Sequence, residues 1–383
     1  MSPATSPHTP DSVGVVATQT VRLFTDEPLA LAGGGALGDI DVAYETYGTL
    51  AADGANAVYL CHALTGDAHA AGWHEGDARP GWWDNLVGPG KPLDTERFFV
   101  ICSNLLGGCQ GTTGPSSTNP ATGQAWGLEF PLLAMADFVA VHRALCSHLG
   151  VTRLLAALGG SLGGMQVLQW SLDHPDDMAN AVIVAASSRL TAQNIAFSAV
   201  ARRAITDDPS FRQGHYAADG VNPDLGLSIA RMMAHITYLS EDAFTEKFGR
   251  LPQYETSRPG FGIDFAVESY LDHQAQVFLE RFDALSYLYL SRVMDYFDPF
   301  ADAAALEAVS RRPVNYLVLS FDSDWRFSTA HSLRMVRRLE GVRLPVTFRE
   351  IASPFGHDSF LLADPIYHAT LAAFLDRALE VGT

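Results

Sequence analysis

The chain has 383 residues, 48% of them hydrophobic, and a formal net charge of -18. That length exceeds what a single core usually organises, so one full domain with a sizeable insertion is expected. Such an acidic balance excludes nucleic acid and an anionic membrane as bulk partners, while leaving room for a local basic pocket for an anionic substrate. No lysine or arginine precedes Arg22 and no apolar run reaches bilayer length, so neither a secretory signal nor a membrane span is expected and a cytoplasmic location follows. Cys61, Cys102, Cys109 and Cys146 show no CxxC spacing and read as buried thiols rather than a disulfide framework.

Residues 1–20, rich in Pro, Ser and Thr, read as a disordered tail. Residues 39–48 alternate polar and apolar, as an antiparallel, half-exposed strand does. Residues 57–60 and 98–102 are continuous apolar runs suited to buried parallel strands, and further strands are predicted over 154–158, 181–185, 314–320 and 346–351. Helical periodicity fills the gaps at 132–149, stopped by Gly150, and at 162–172, 329–339 and 367–379. This succession predicts a mostly parallel sheet covered on both faces. Between 187 and 299 the strand signal vanishes and amphipathic helices are predicted over 192–204, 225–239, 265–281 and 285–297. The expected organisation is therefore a core domain from 21–186 and 300–383, with a helical lid over 187–299 that shields the site from water.

Gly159-Gly160-Ser161-Leu162-Gly163 lies between a predicted strand and a predicted helix, which is the pattern of a nucleophile elbow. A hydroxyl lifted out of so tight a turn becomes a nucleophile once a base accepts its proton. His357 follows the strand at 346–351, and Asp322 and Asp324 follow the strand at 314–320, so base and acid fall beyond strand ends, where open sheets place ligand sites. The spacing does not choose between the two aspartates. The oxyanion requires preorganised N–H donors: the residue after the nucleophile, Leu162, and the loop after the early strand, near Leu64. His62 in that loop reads as a turn-stabilising side chain. His62, His69 and His74 lack a metal-binding geometry such as HExxH, so no metal is expected. The glycine-rich loop 102–115 has no lysine and does not match a nucleotide-binding loop; its glycines read as allowing close backbone packing beside the site. Arg231, His235 and Tyr238 share one helical face, and an arginine beside aromatic groups can grip a carboxylate through two hydrogen bonds.

From about Thr20 to the C-terminus the chain resembles the homoserine O-acetyltransferases of the α/β-hydrolase fold. The resemblance rests on His62-Ala63-Leu64-Thr65-Gly66, on Leu106 to Pro115, on Gly159-Gly160-Ser161-Leu162-Gly163-Gly164-Met165-Gln166, on Ala230 to Tyr238, on Ser269-Tyr270-Leu271 and on Gly356-His357-Asp358-Ser359-Phe360-Leu361. It implies Ser161 as nucleophile, Asp324 as triad acid, His357 as base, and Leu64 and Leu162 as oxyanion donors. It further implies that Arg231 holds the substrate carboxylate and Asp358 its ammonium, with Tyr238 beside them. The implied reaction is a ping-pong transfer of acetyl from acetyl-CoA, a co-substrate rather than a cofactor, to L-homoserine, within methionine biosynthesis and by a homodimer. Relatives of the same fold include succinyltransferases, serine acyltransferases and esterases, which are the rival readings. The chain departs from the family pattern at Leu162, where methionine is usual, and at Arg326 and Ser328, where aliphatic and proline residues are usual.

Overall fold

The computed structural model describes residues 9–254, 260–312 and 314–382. The strands are β1 (Gln19–Leu23), β2 (Leu29–Ala30), β3 (Ala36–Leu37), β4 (Ile40–Tyr47), β5 (Ala57–Cys61), β6 (Phe99–Ser103), β7 (Leu154–Gly160), β8 (Met178–Val184), β9 (Asn315–Phe321) and β10 (Val346–Ile351). The helices are α1 (Met135–His148), α2 (Leu162–Asp173), α3 (Ala192–Thr206), α4 (Asp224–Tyr238), α5 (Glu241–Lys247), α6 (Ala266–Leu279), α7 (Ala284–Tyr296), α8 (Ala303–Val309), α9 (Thr329–Gly341) and α10 (Pro365–Gly382). Eight strands form one sheet in the order β1-β4-β6-β5-β7-β8-β9-β10, while β2 and β3 make a separate small hairpin. Pairing is parallel from β6 through β10 and antiparallel at β1–β4 and β4–β6. This is the α/β-hydrolase fold expected from sequence.

Alternate residues of each strand point to opposite faces. Tyr59, Ile101, Ala157, Ile183 and Val318 join one apolar cluster with Phe138 of α1, Leu168 of α2 and Met335 of α9. Val58, Leu60, Val100, Leu158, Val182 and Leu319 join the other, closed by Tyr367, Leu371 and Leu375 of α10. The chain runs from β5 outward to β6 and then returns to the far side of β5 as β7. That reversal leaves a crevice at the C-terminal ends of β5 and β7, where the loop starting at His62 and the turn at Ser161 meet.

Several expectations shift. The tail expected over 1–20 is docked where it is described: Val16 N–H donates to the Trp73 carbonyl at 2.9 Å, Thr18 donates to Glu45, and β1 pairs with β4. Residues 1–8 lie outside the described residues. The helix expected from 132 starts at Met135, because the Asp137 carboxylate accepts the Ala134 N–H at 2.7 Å and caps the turn there. Helices α5 and α8 and strands β1 to β3 escaped the periodicity reading, since each is too short to show a period. The insertion between β8 and β9 is helical as expected, and Leu285, Leu288, Leu290, Val293 and Met294 of α7 pack into the same cluster as α1 and α2. Among the described residues no helix is long and apolar enough to cross a membrane.

Candidate active site

Ser161 caps the N-terminus of α2 with φ 58 and ψ -122, a left-handed backbone that costs a serine roughly 1–3 kcal/mol. The surrounding structure holds it there: Ser161 N–H donates to the Val184 carbonyl at 3.0 Å, and Met165 N–H donates back to the Ser161 carbonyl at 3.2 Å. The flanking glycines follow from contact. A Cβ on Gly163 would lie 1.9 Å from the Cys61 carbonyl oxygen, and one on Gly159 would lie 2.4 Å from the Gly163 backbone, so β5, β7 and α2 meet with no room for side chains.

Three side chains from distant parts of the chain converge at this turn. His357 Nε2 lies 2.9 Å from Ser161 Oγ, and His357 Nδ1 lies 2.7 Å from Asp324 Oδ2. All three are buried. The other Asp324 oxygen accepts the N–H groups of Arg326 and Phe327, each at 2.9 Å. Burial pushes the Asp324 carboxyl up, but the facing His357 and these backbone donors outweigh it and hold the group below its usual value. Asp322 turns elsewhere and accepts the Ser353 N–H at 2.9 Å, so the structure separates the two aspartates that spacing left open.

Facing the serine are the loop after β5 and the first turn of α2. Leu162 opens α2, where first-turn amides lack an intrahelical acceptor. Leu64 is buried on the loop. His62 is also buried, and its Nδ1 donates to the Ala63 carbonyl at 2.7 Å while Nε2 accepts the Leu105 N–H at 3.1 Å. It is a turn-stabilising side chain, as read from sequence. The glycine-rich loop beyond Leu105 packs on β4: Thr112 and Thr113 hydroxyls accept the N–H groups of Ala43 and Asp41, both at 2.9 Å.

The insertion adds charge above this turn. Arg231 on α4 stands 3.3 Å from the Thr65 hydroxyl, over the Phe278 ring at 4.6 Å and the Tyr238 ring at 5.9 Å, and its Nε is buried with no hydrogen-bond partner. The Tyr238 ring is 6.0 Å from His357 and carries a second guanidinium, Arg326, at 5.7 Å. Arg281 donates to the Thr65 carbonyl at 2.8 Å and is the third. Burial and the neighbouring Arg231 depress the Arg281 guanidinium. His235, buried beside Arg231, is pushed down to about 3, so it adds no further positive charge. Burial pushes Asp358 up to about 6, against the pull of His357 and Arg231.

Ser161, Asp324, His357, Arg231, His235 and Tyr238 are thus gathered at one place, with Asp358 close enough to feel His357 and Arg231, and they are joined by Thr65, Phe278 and Arg281, which sequence reasoning missed; Asp322 instead bonds Ser353, and His69 and His74 bond Glu45. Arg281 carried a signal, since it is a lone basic residue at the end of an amphipathic helix. The three histidines weighed as metal ligands part company. His69 and His74 both bond Glu45, at 3.0 and 2.7 Å, and these three bring candidate ligand atoms within 4.8 Å of one another. The two imidazoles are stacked 3.8 Å apart, and the carboxylate between them also accepts from Thr18 and Tyr47.

The chain matches the alpha/beta hydrolase fold family over residues 56–364. It is 58% identical over 365 residues to a homoserine O-succinyltransferase of Nocardioides sp., covering 95% of this chain and 99% of that protein. A homoserine O-acetyltransferase of Caulobacter vibrioides is 52% identical over 362 residues, covering 94% and 95%. Among solved structures, homoserine O-acetyltransferase from Bacillus anthracis superposes with a TM-score of 0.82 at 26% identity, covering 96% and 98%, and esterase E22 with 0.84 at 25%, covering 95% and 100%. A strained serine with its imidazole and carboxylate, this extent of likeness and this fold lead to one conclusion: the chain belongs to the homoserine O-acyltransferases of the α/β-hydrolase fold.

Proposed function

We propose that the protein transfers a succinyl group from succinyl-CoA to the hydroxyl of L-homoserine by a ping-pong mechanism. The observation that carries the choice of acyl group is the pair of guanidiniums, Arg231 and Arg326, flanking the Tyr238 ring beside His357. One cation suffices for the homoserine carboxylate, and an acetyl group brings no charge for the other. A succinyl group brings a second carboxylate, which the buried Arg326 suits. The name of the Nocardioides relative supports the same reading, and the Caulobacter relative keeps acetyl, the donor expected from sequence, as the second reading.

In the first half-reaction Ser161 Oγ attacks the thioester carbon and passes its proton to His357 Nε2, while Asp324 fixes the imidazole through Nδ1. The amides of Leu64 and Leu162 hold the oxyanion. Collapse breaks the carbon–sulfur bond, and His357 returns the proton to the leaving thiolate. In the second half, the homoserine hydroxyl gives its proton to His357 and attacks the acyl carbon; Ser161 leaves and takes the proton back. Arg231 holds the homoserine carboxylate, Asp358 the ammonium, and Tyr238 forms the wall between the two guanidiniums. Transfer rather than hydrolysis requires that the inserted helices keep water from the acyl-enzyme. The homodimer implied by the resemblance remains part of this proposal, and acyl-CoA serves as co-substrate with no cofactor.

The test compares succinyl-CoA and acetyl-CoA by release of free thiol and by acyl-enzyme mass, each with and without L-homoserine or L-serine. Succinylated Ser161 is expected, with turnover only on adding homoserine. Arg326→Leu is expected to lower kcat/KM for succinyl-CoA about tenfold to a hundredfold, the size of one lost charge-assisted contact, and to leave acetyl-CoA unchanged. Faster acylation from acetyl-CoA supports the acetyl reading instead, and rapid thiol release without acceptor supports the hydrolase.

A further inference from the structure

The oxyanion donors proposed above sit on two separate segments, the loop after β5 and the start of α2, and their spacing must be held to a fraction of an ångström. One side chain touches both. Gln166, fully buried one turn into α2, lies with its Nε2 3.0 Å from the His62 carbonyl and 3.2 Å from the Leu162 carbonyl. Each carbonyl belongs to a peptide adjacent to one that carries a donor: His62–Ala63 precedes Ala63–Leu64, and Leu162–Gly163 follows Ser161–Leu162.

The direction of that amide is set from behind. Gln166 Oε1 lies 2.9 Å from His142 Nε2, His142 Nδ1 lies 2.9 Å from the Tyr59 hydroxyl, and Tyr59 lies 2.5 Å from Ser103 Oγ. All four side chains are buried. Burial pushes His142 down to about 4, so near neutral pH the ring carries a single proton. With that proton on Nε2, every bond runs one way: Ser103 donates to Tyr59, Tyr59 to His142, His142 to Gln166, and Gln166 to the two carbonyls. A flipped Gln166 amide would set its oxygen against two carbonyl oxygens and its nitrogen against an N–H.

His62 acts on the same loop from the other side. Its Nδ1 donates to the Ala63 carbonyl at 2.7 Å, and that carbonyl shares a rigid peptide plane with the Leu64 N–H. Its Nε2 accepts from Leu105 N–H at 3.1 Å and anchors the ring to the neighbouring loop.

We infer that Gln166 and His62 are positioning residues for the oxyanion hole, with Gln166 setting the distance between its halves and His62 the direction of the Leu64 donor. This rests on the reading of Ser161 as nucleophile and of the Leu64 and Leu162 amides as donors, but not on the identity of acyl group or acceptor.

The test is burst kinetics of the full chain with p-nitrophenyl acetate, whose transfer to Ser161 needs the oxyanion donors but neither CoA nor homoserine. Burst amplitude counts competent serines, and the burst rate constant reads acylation. Gln166→Met, of similar volume, is expected to slow the burst about tenfold to a hundredfold at unchanged amplitude and substrate affinity, the loss produced by a misplaced group. His62→Leu is expected to do the same. His62→Asn, whose amide nitrogen falls where Nδ1 was, is expected to recover most of the rate. Rate constants equal to wild type in Gln166→Met, with only the melting temperature lowered, overturn the inference, and so does an equal loss in His62→Asn and His62→Leu. Should Gln166→Met fail to fold, the His62 pair decides. A wild-type chain that forms no adduct on Ser161 overturns the nucleophile reading itself, an outcome distinct from equal rates.

Discussion

Asp322 and Asp324 are two residues apart and chemically identical, yet their surroundings assign them different work. Asp324 meets His357 and two backbone N–H groups, whereas Asp322 meets the Ser353 N–H. Asp324→Asn is expected to cut acyl-enzyme formation by roughly four orders of magnitude, because the amide no longer holds the required imidazole tautomer. Asp322→Asn should leave the rate close to wild type, and stopped-flow thiol release with each variant checks the pair. Asp358 yields a pH prediction. Burial raises its carboxyl from the usual value to about 6, so it is charged above that pH and neutral below it. If the charged form holds the substrate ammonium, KM for homoserine rises as pH falls through about 6, by up to about tenfold per pH unit below it, while acylation by acyl-CoA does not follow that curve. Measuring KM and the acylation rate constant between pH 5 and 8 checks this, and Asp358→Asn should flatten the KM profile.

At the scale of elements, β5, β7 and α2 cross with no room for side chains between their backbones. A Cβ on Gly163 would sit 1.9 Å from the Cys61 carbonyl oxygen, so Gly163→Ala must push the loop after β5 away from the turn at Ser161 or fail to fold. Loss of acyl-enzyme is expected together with a lower melting temperature, read by differential scanning calorimetry and adduct mass. The longer elements were legible because their periods repeat. The buried strands 57–61 and 154–160 are continuous apolar runs, and α9 and α10 each extend over several turns. Helix α5, with seven residues, and β1, with five, were missed because so short a segment shows no period and is defined by its partner: the Ser240 cap and the edge of β4. The burial of α7 was likewise illegible, since an apolar stripe says that a helix packs but not against what.

For the whole molecule, the helices inserted between β8 and β9 present an apolar stripe outward. Leu225, Ile229 and Ile236 of α4 are 65%, 41% and 46% exposed, and Ile195 and Val200 of α3 are exposed beside them. The proposed homodimer would cover such a face, and a specific contact needs roughly 800 Å² from each copy. Light scattering is expected to give twice the chain mass of 41.3 kDa, and Ile229→Arg to shift it toward the monomer; a monomeric wild type removes the dimer from the proposal. The acidic surface, with a net charge of -18, makes the enclosed arginines stand out as the place for anionic groups.

The amino-acid sequence by itself determined the alternation of strands and helices, the glycine-flanked turn at Ser161, and the chain order of the serine, the aspartates and the histidine, because these are written in local periodicity, glycine placement and residue type. Which aspartate faces His357, and that Arg281 and Arg326 stand near Arg231, was decided only in three dimensions. Residues 65, 231, 281 and 326 are neighbours through the packing of loop, lid and strand ends, and contacts between such distant segments leave no periodic trace along a single chain.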